Sequence, residues 1–266
     1  MKHPSSVILA VGAACLTFQT AHASLLFSEA FNYDPGALQN QVNPGNGATW
    51  TGGNSGLSIV SGNLTYAGLA DQGGNELSIA NAAAGSSEIQ FATQTNGQIY
   101  YSFLFDPTVV DGANDYFTAL NPGTTTPGGS GDAIDAYYYS NGKMELRAKP
   151  DSATAGAGTA LSLNTTYLIV EEIDLDAETA SLWIDPDSST FGGTAPAATA
   201  TLSGLSATAI DDVGVKAQST TGDYLMDNLL IGTTWADVTP VAVPEPSTLA
   251  LAGLGLLGLF ARFRRR

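Results

Sequence analysis

Thiol and imidazole side chains are almost absent from this sequence. Its one cysteine, Cys15, and its two histidines, His3 and His22, all lie within the first 23 residues. The rest of the chain therefore has no disulfide, no cysteine nucleophile, no histidine-ligated zinc and no Ser-His-Asp triad. These absences exclude several common catalytic and metal centres from most of the molecule.

Positive charge is equally scarce between residues 24 and 242. The 266-residue chain has nine Lys and Arg residues against 25 Asp and Glu. Five of the nine and one of the 25 lie outside residues 24–242, so this body carries 24 acidic and four basic residues, a net charge of −20. The four bases are Lys143, Arg147, Lys149 and Lys216. Such a charge argues against nucleic acid as a partner and favours divalent cations as counter-ions.

Sustained helical periodicity is missing from the body, and short β-type runs between turn residues recur instead. The predicted strands are Leu25–Phe31, Leu57–Val60, Leu64–Ala67, Glu76–Ile79, Glu88–Ala92, Gln98–Phe105, Tyr116–Leu120, Ala133–Tyr139, Lys143–Ala148, Thr166–Asp174, Thr179–Ile184, Ala198–Leu202, Val213–Gln218 and Tyr224–Ile231. Asn141-Gly142 is the clearest hairpin signal, and Ala153–Gly158 is predicted as a loop. The pattern predicts one all-β domain, residues 24–238, folded as a two-sheet antiparallel sandwich.

Alternation along these strands identifies the core. Tyr101, Phe103 and Phe105 share one face of their strand. Both faces of Thr166–Asp174 carry aliphatic residues, which is typical of a central strand. The other notable aromatic sites are interpreted as core or sheet-surface packing: Trp183, Trp235 and Tyr137–Tyr139.

Residues 1–23 have the organisation of a secretory signal peptide. Lys2 gives a short charged start, and residues 7–18 form an apolar core. Ala21 and Ala23 then provide a small-x-small cleavage site before Ser24. The sequence therefore predicts export by a secretion translocon.

The C-terminal end has three parts in a fixed order. The linker, residues 239–248, contains Pro244, Glu245 and Pro246. Residues 249–261 form an uncharged apolar run, about 20 Å long as a helix, which with its flanking residues can span a membrane through local thinning and snorkelling arginines. Residues 262–266 contain four arginines, which predict that this end stays cytoplasmic. They are Arg262, Arg264, Arg265 and Arg266.

This order of motif, short Gly-rich helix and arginine cluster closely resembles the PEP-CTERM sorting signal of Gram-negative bacteria. The resemblance implies recognition by an exosortase, a membrane-embedded transpeptidase that cuts near Pro244-Glu245-Pro246. It also implies a single-pass precursor that is held transiently in the inner membrane. The mature protein is then expected at the cell surface or outside the cell, in bacteria that make extracellular polysaccharide.

Three segments of the body resemble laminin-G/concanavalin-A-like jelly rolls. They are the opening LFSEAFNY at residues 26–33, the hairpin at residues 167–186 and the closing DNLLIGTTWADV at residues 227–238. The resemblance implies two curved antiparallel sheets of six or seven strands each, with the first and last strands side by side. Domains of this kind commonly bind carbohydrate or calcium, so the fold alone does not fix the function.

No catalytic site is predicted, but one run of carboxylates supports an alternative. Glu172, Asp174 and Asp176 share one strand face if the strand continues that far. Laminarinase-type glycoside hydrolases of the same architecture use a Glu-x-Asp-x-Glu run, and retaining hydrolysis needs two carboxyls about 5–5.5 Å apart. This sequence departs from that run at Asp176. A solvated acidic turn between two strands explains the same residues.

Calcium is a second alternative, and no other cofactor is expected. Hard oxygen ligands alternate in two places, and the candidates are Asp174, Asp176, Glu178, Asp185 and Asp187. Neither place contains the glycine and the distal glutamate of a full calcium loop.

The sequence favours an exported structural or adhesive protein of the envelope or extracellular matrix. The first alternative is a carbohydrate-binding module, with extracellular polysaccharide as the partner. The second is a glycan hydrolase or lyase.

Overall fold

The computed structural model describes residues 25–53, 55–80, 83–110, 112, 115–123, 132–148, 153–156, 160–218 and 222–242. The predicted signal peptide, the Pro-Glu-Pro motif, the apolar run at 249–261 and the arginine cluster lie outside these residues. Within the described ranges, no helix has the length and apolar character needed to cross a membrane.

Strands make up nearly all of the regular secondary structure of the described residues. The strands are β1 Leu25–Glu29, β2 Gly36–Ala37, β3 Thr51–Gly52, β4 Leu57–Val60, β5 Glu76–Ala80, β6 Gly85–Gln94, β7 Gln98–Val109, β8 Asp115–Asn121, β9 Ile134–Tyr138, β10 Met144–Ala148, β11 Ala153–Gly156, β12 Tyr167–Asp174, β13 Thr179–Ile184, β14 Ala200–Ser203, β15 Ile210–Ala217 and β16 Asp223–Gly232. One helical turn, α1 Trp235–Val238, follows β16.

These strands build two antiparallel sheets packed as a jelly-roll sandwich, which confirms the predicted fold class. In the described residues one sheet has nine strands, in the order β14-β13-β12-β7-β16-β5-β4-β2, with β1 also pairing with β16. The other has seven, in the order β11-β10-β9-β8-β15-β6-β3. The pairing of β1 with β16 brings the two ends of the domain together, as the resemblance implied. The nine-stranded sheet exceeds the expected six or seven strands.

The main core lies between the sheets and follows the predicted alternation. Ile99, Tyr101, Phe103 and Phe105 project from β7 into this core and are fully buried. Large aromatic side chains dominate it because a rigid ring covers much apolar area for few rotatable bonds. The ring of Phe105 stacks on that of Phe117 from the facing sheet, with centroids 4.8 Å apart.

A second apolar layer covers the outer side of the nine-stranded sheet. Leu168 and Val170, from the face of β12 opposite the main core, pack there with Trp183, Trp235 and other residues. The indoles of these two tryptophans meet edge to face at 5.1 Å. Both predicted core tryptophans are therefore buried, and β12 is a central strand with two apolar faces, as predicted.

Two local predictions are wrong. Leu64–Ala67 forms no strand, because the Leu64 amide donates to the Asp227 carboxylate at 3.0 Å instead of to a neighbouring strand. The segment crosses the outer side of the nine-stranded sheet, where Leu64 joins the second apolar layer. Conversely, Ala153–Gly156 is strand β11 and pairs with β10, although its small side chains carry no strand signal.

Candidate ligand-binding face

The two sheets differ in what covers their outer sides. Loops and α1 close the nine-stranded sheet with the second apolar layer. On the seven-stranded sheet, partly exposed tyrosines alternate with buried core residues. Tyr138 points into the core, so its neighbours Tyr137 and Tyr139 project outward, and Tyr116 of β8 lies opposite Tyr137 in the ladder.

The three tyrosine rings form a continuous row across two strands. The ring centroids of Tyr116 and Tyr137 are 5.6 Å apart. Those of Tyr137 and Tyr139 are 5.1 Å apart. The rings pack in tilted contacts, with interplanar angles of 44° and 48°. Such contacts fix ring orientation at low entropic cost, because each tyrosine has few side-chain torsions to restrict.

Two basic side chains join this row from the neighbouring strands. Arg147 of β10 places its guanidinium carbon 4.6 Å from the Tyr137 ring centroid and 5.3 Å from that of Tyr116. The Lys216 ammonium of β15 lies 4.6 Å from the Tyr116 centroid. All three distances are in the range of cation–π attraction. We call these five side chains the tyrosine face: Tyr116, Tyr137, Tyr139, Arg147 and Lys216.

A buried carboxylate fixes the arginine. Asp135 of β9 is fully buried and accepts hydrogen bonds from Arg147 Nε at 3.2 Å and Nη2 at 2.8 Å. The Arg147 side chain is 13% exposed. Because the pair is largely shielded from water, the guanidinium is held against the tyrosine rings rather than mobile in solvent.

The tyrosine face contains two of the three basic residues of the described chain. Among the described residues, the bases are Lys143, Arg147 and Lys216. Lys143 lies in the turn between β9 and β10, and the other two are on strands of the same sheet. The sequence identified these bases, but it did not predict that β8, β10 and β15 lie close together in one sheet. The period-two pattern around Tyr138 was the available signal for an outward tyrosine pair.

Two of the carboxylates named as catalytic alternatives, Glu172 and Asp174, lie on one face of β12, whereas Asp176 lies beyond the end of the strand. Strand β12 ends at Asp174, whose Oδ1 accepts the backbone amides of Asp176 at 3.0 Å and Ala177 at 2.8 Å. Asp176 then accepts the Gly97 amide at 3.1 Å. Glu172 is 7% exposed and points to the opposite side of the sheet from the core. The segment that follows Glu172, from Asp174 to Ala177, is therefore part of the hairpin turn between β12 and β13.

The predicted calcium ligands are likewise engaged in local structure. Asp185 accepts the Leu168 amide at 3.0 Å, and Asp187 caps a 3-10 turn through the Ser189 amide at 2.8 Å. Glu178 is in the hairpin turn with φ of 56°. Within the described residues, no three His, Cys, Asp or Glu side chains are placed to hold a metal ion.

A cleft of about 320 Å³ lies at one end of the sandwich, beside β1. Glu29 forms part of its wall and accepts hydrogen bonds from Tyr33, Asn43 and Trp50 side chains at 2.6–3.0 Å. Its other oxygen accepts the Phe31 amide at 2.8 Å. Because the carboxylate is 1% exposed and fully bonded, it fastens the loop after β1 and offers nothing to a ligand.

The C-terminal tail is similar to a known sorting motif, and the sandwich is similar to several solved structures. Residues 242–266 match the family model of the PEP-CTERM protein-sorting motif. The chain therefore carries this sorting motif, as predicted from the tail, and the motif implies export and processing by an exosortase. The chain has no significant match among curated proteins.

Several solved structures are similar to the sandwich. The globular domain of T. cruzi calreticulin is 11% identical, with 81% of this chain and 90% of that chain covered and a TM-score of 0.49. A Trypanosoma rangeli sialidase in complex with sialic acid is 12% identical, with coverage of 76% and 31% and a TM-score of 0.44. Another sialidase is 11% identical, with coverage of 82% and 19% and a TM-score of 0.47. At such low identity, these similarities say nothing about activity.

Proposed function

We propose that this protein is an exported component of the envelope or extracellular matrix, delivered by exosortase processing and acting through its sandwich outside the inner membrane. The sorting motif at residues 242–266 is the observation that carries the proposal. A motif of this kind on a chain with 24 acidic residues between positions 24 and 242 fits a soluble domain that leaves the cell interior.

The processing step gives the proposal a direct test. Alanines in place of Pro244, Glu245 and Pro246 remove the two prolines and the charge of the sorting motif, while the sequence of the apolar run stays intact. The variant should accumulate as a membrane-bound precursor of higher mass than the wild type. A matched control replaces three residues that flank the motif, Val243, Ser247 and Thr248, with alanines. Wild-type processing of the Pro-Glu-Pro variant would remove the basis of the proposal.

We further propose that the sandwich is a binding module and not an enzyme. Support comes from the engagement of these acids in the fold, since Asp174 and Asp176 accept backbone amides of the hairpin turn and Glu172 is 7% exposed, whereas glycoside hydrolysis requires two carboxyls that reach one substrate. Assays on laminarin and alginate with Glu172→Gln as the control check this. Product release that is lost in the variant would show catalysis.

Polysaccharide is the binding partner that the tyrosine face supports best. Aromatic rings pack against the apolar sides of pyranose rings, and the three tyrosines form one partly exposed aromatic row. Binding of the exported protein to a glycan array, compared with that of Tyr137→Ala, tests this role. The variant should lose binding while keeping its fold, because the Tyr137 side chain lies outside the main core.

A further inference from the structure

The chain leaves the sandwich between two loops that hold it in place. We call residues 239–242 the strap, and the loops 67–70 and 190–192 the exit clamp. One backbone amide on each clamp loop donates to a strap carbonyl, at 2.7 and 2.8 Å, and a strap amide donates back at 3.0 Å. The donor–acceptor pairs are Ala70 to Pro240, Gly192 to Thr239 and Ala242 to Gly68. Backbone hydrogen bonds on both sides therefore fix the strap as far as its last residue.

The exit clamp is anchored in the second apolar layer. Leu69 and Phe191, one from each loop, are buried there. The indole of Trp235 donates to the Thr190 carbonyl at 3.0 Å. Gly192, with φ of 66°, lets the strap pass close by, since an added Cβ would lie 2.8 Å from the valine of the strap. The position of the strap is therefore part of the folded sandwich.

The sorting motif follows the strap after a very short stretch of chain. Pro244 is two residues beyond Ala242, and Leu249, the first residue of the apolar run, is seven residues beyond it. Fully extended, these stretches reach at most about 7 Å and about 24 Å. In the proposed precursor, the gap between the sandwich and the hydrocarbon core is therefore smaller than the diameter of a small domain, about 30 Å. An enzyme that binds the motif in this gap also contacts the exit clamp.

The surface around the strap is free of charge, unlike the rest of the body. Residues 67–70, 188–195 and 239–242 contain no charged side chain, whereas residues 24–242 together carry a net charge of −20. The side chain of Val241 is 49% exposed at this surface. Charged residues are depleted at the centre of protein–protein interfaces, because a charge there loses its hydration. The chemistry of this surface therefore suits contact with another protein.

We propose that the exit clamp is a docking surface for the exosortase, which contacts the loops 67–70 and 190–192 while it holds the Pro-Glu-Pro segment. This inference rests on the exosortase processing proposed above. The strap fixes the distance between the clamp and the motif, so the enzyme recognises both together. Two linked contacts reinforce each other, because the second forms within the complex that the first has made. The folded sandwich thus helps to select the substrate, in addition to its tail.

The distance between clamp and motif can be changed without altering either of them. Insertion of Gly-Ser-Gly-Ser-Gly-Ser between Ala242 and Val243 adds up to about 20 Å of flexible chain. Pulse labelling in the producing bacterium follows the conversion of the precursor to the mature protein. We expect this conversion to slow about tenfold, because a flexible linker lowers the effective concentration of the clamp at the enzyme. Ala242→Ser is the matched control, which gives Val243 the same preceding residue without added length and should be processed at the wild-type rate.

A charge placed on the clamp gives a second test. Ala67 is exposed on the first clamp loop, and Ala92 is exposed on β6 of the other sheet. Ala67→Glu should slow conversion about tenfold, because the new carboxylate must lose water in the contact with the enzyme. Ala92→Glu, with the same change in charge and size, is the matched control and should be processed like the wild type.

The outcomes separate this inference from the function on which it rests. Slower conversion of the insertion variant and of Ala67→Glu, with both controls at the wild-type rate, supports the docking surface. If Ala67→Glu does not fold, the insertion variant decides alone. A wild-type or faster rate for the insertion variant or for folded Ala67→Glu, or equal slowing in a control, overturns the inference and leaves processing intact. If alanines at Pro244, Glu245 and Pro246 also leave processing unchanged, the proposed function fails as well.

Discussion

Replacement of Glu171 by glutamine should stabilise the sandwich relative to the wild type, and this gain in the free energy of unfolding should be larger at neutral pH than at pH 4. Glu171 projects from β12 into the core between the sheets, opposite Tyr101 in the ladder. It is fully buried, and neither carboxylate oxygen has a hydrogen-bond partner among the described residues. Burial raises the pKa of this carboxyl from 4.5 to about 8, with a smaller contribution from the charge of Asp135.

The expected magnitude follows from this pKa. Below pH 4.5 the carboxyl is protonated in the folded and the unfolded chain, so its contribution to stability is fully present. As the pH rises towards 8, the unfolded chain releases the proton and the folded chain retains it, which lowers the free energy of unfolding. At about 1.4 kcal/mol per pKa unit, the wild type loses about 3 kcal/mol between pH 4.5 and pH 7. Glutamine has no proton to release and avoids that loss.

Thermal unfolding at pH 4 and pH 7 measures this difference. For a domain of this size, the Tm of the variant minus the Tm of the wild type should be roughly 6–12 °C larger at pH 7 than at pH 4. The other buried carboxyls titrate alike in both proteins and cancel in the comparison. Glu178→Gln, at an exposed turn glutamate, is the matched control. An equal Tm difference at the two pH values would refute the assignment of Glu171 as a neutral core residue.

Three further predictions concern the stability of the sandwich away from the tyrosine face. Glu29→Gln should destabilise the domain by about 2–4 kcal/mol in denaturant unfolding, because an amide nitrogen would face donors such as the Trp50 indole; a change below about 0.5 kcal/mol would contradict the network. Trp235→Ala should cost about 3–5 kcal/mol by opening a cavity in the second apolar layer, and near-neutral unfolding would contradict the packing. Asp174→Ala should cost about 1 kcal/mol through the lost turn bonds without changing glycan binding, and lost binding would contradict its structural role.

The sequence predicted the strands whose side chains alternate strongly and missed those that do not. β7 and β12 carry large apolar residues on regular positions, so their burial could be read directly. β11 consists of Ala, Thr and Gly, which give no such pattern. Leu64–Ala67 has apolar residues but does not pair with a strand, and the Leu64 amide donates to the Asp227 carboxylate instead.

The tyrosine face could not be predicted from the sequence, for a different reason. The alternation around Tyr138 shows that Tyr137 and Tyr139 share a side, but not that this side remains partly exposed. The approach of Lys216 to Tyr116 depends on the order of strands in the sheet, since β8 and β15 are adjacent in space and far apart along the chain. Long-range strand order is not encoded in local spacing.

The mass of the mature protein recovered from the envelope and the medium tests the central claim most directly. A protein sorted through its tail should begin at Ser24 and end near Pro244-Glu245-Pro246, without the apolar run and the four arginines. A full-length chain that keeps residues 1–23 and 249–266 inside the cell would contradict the account.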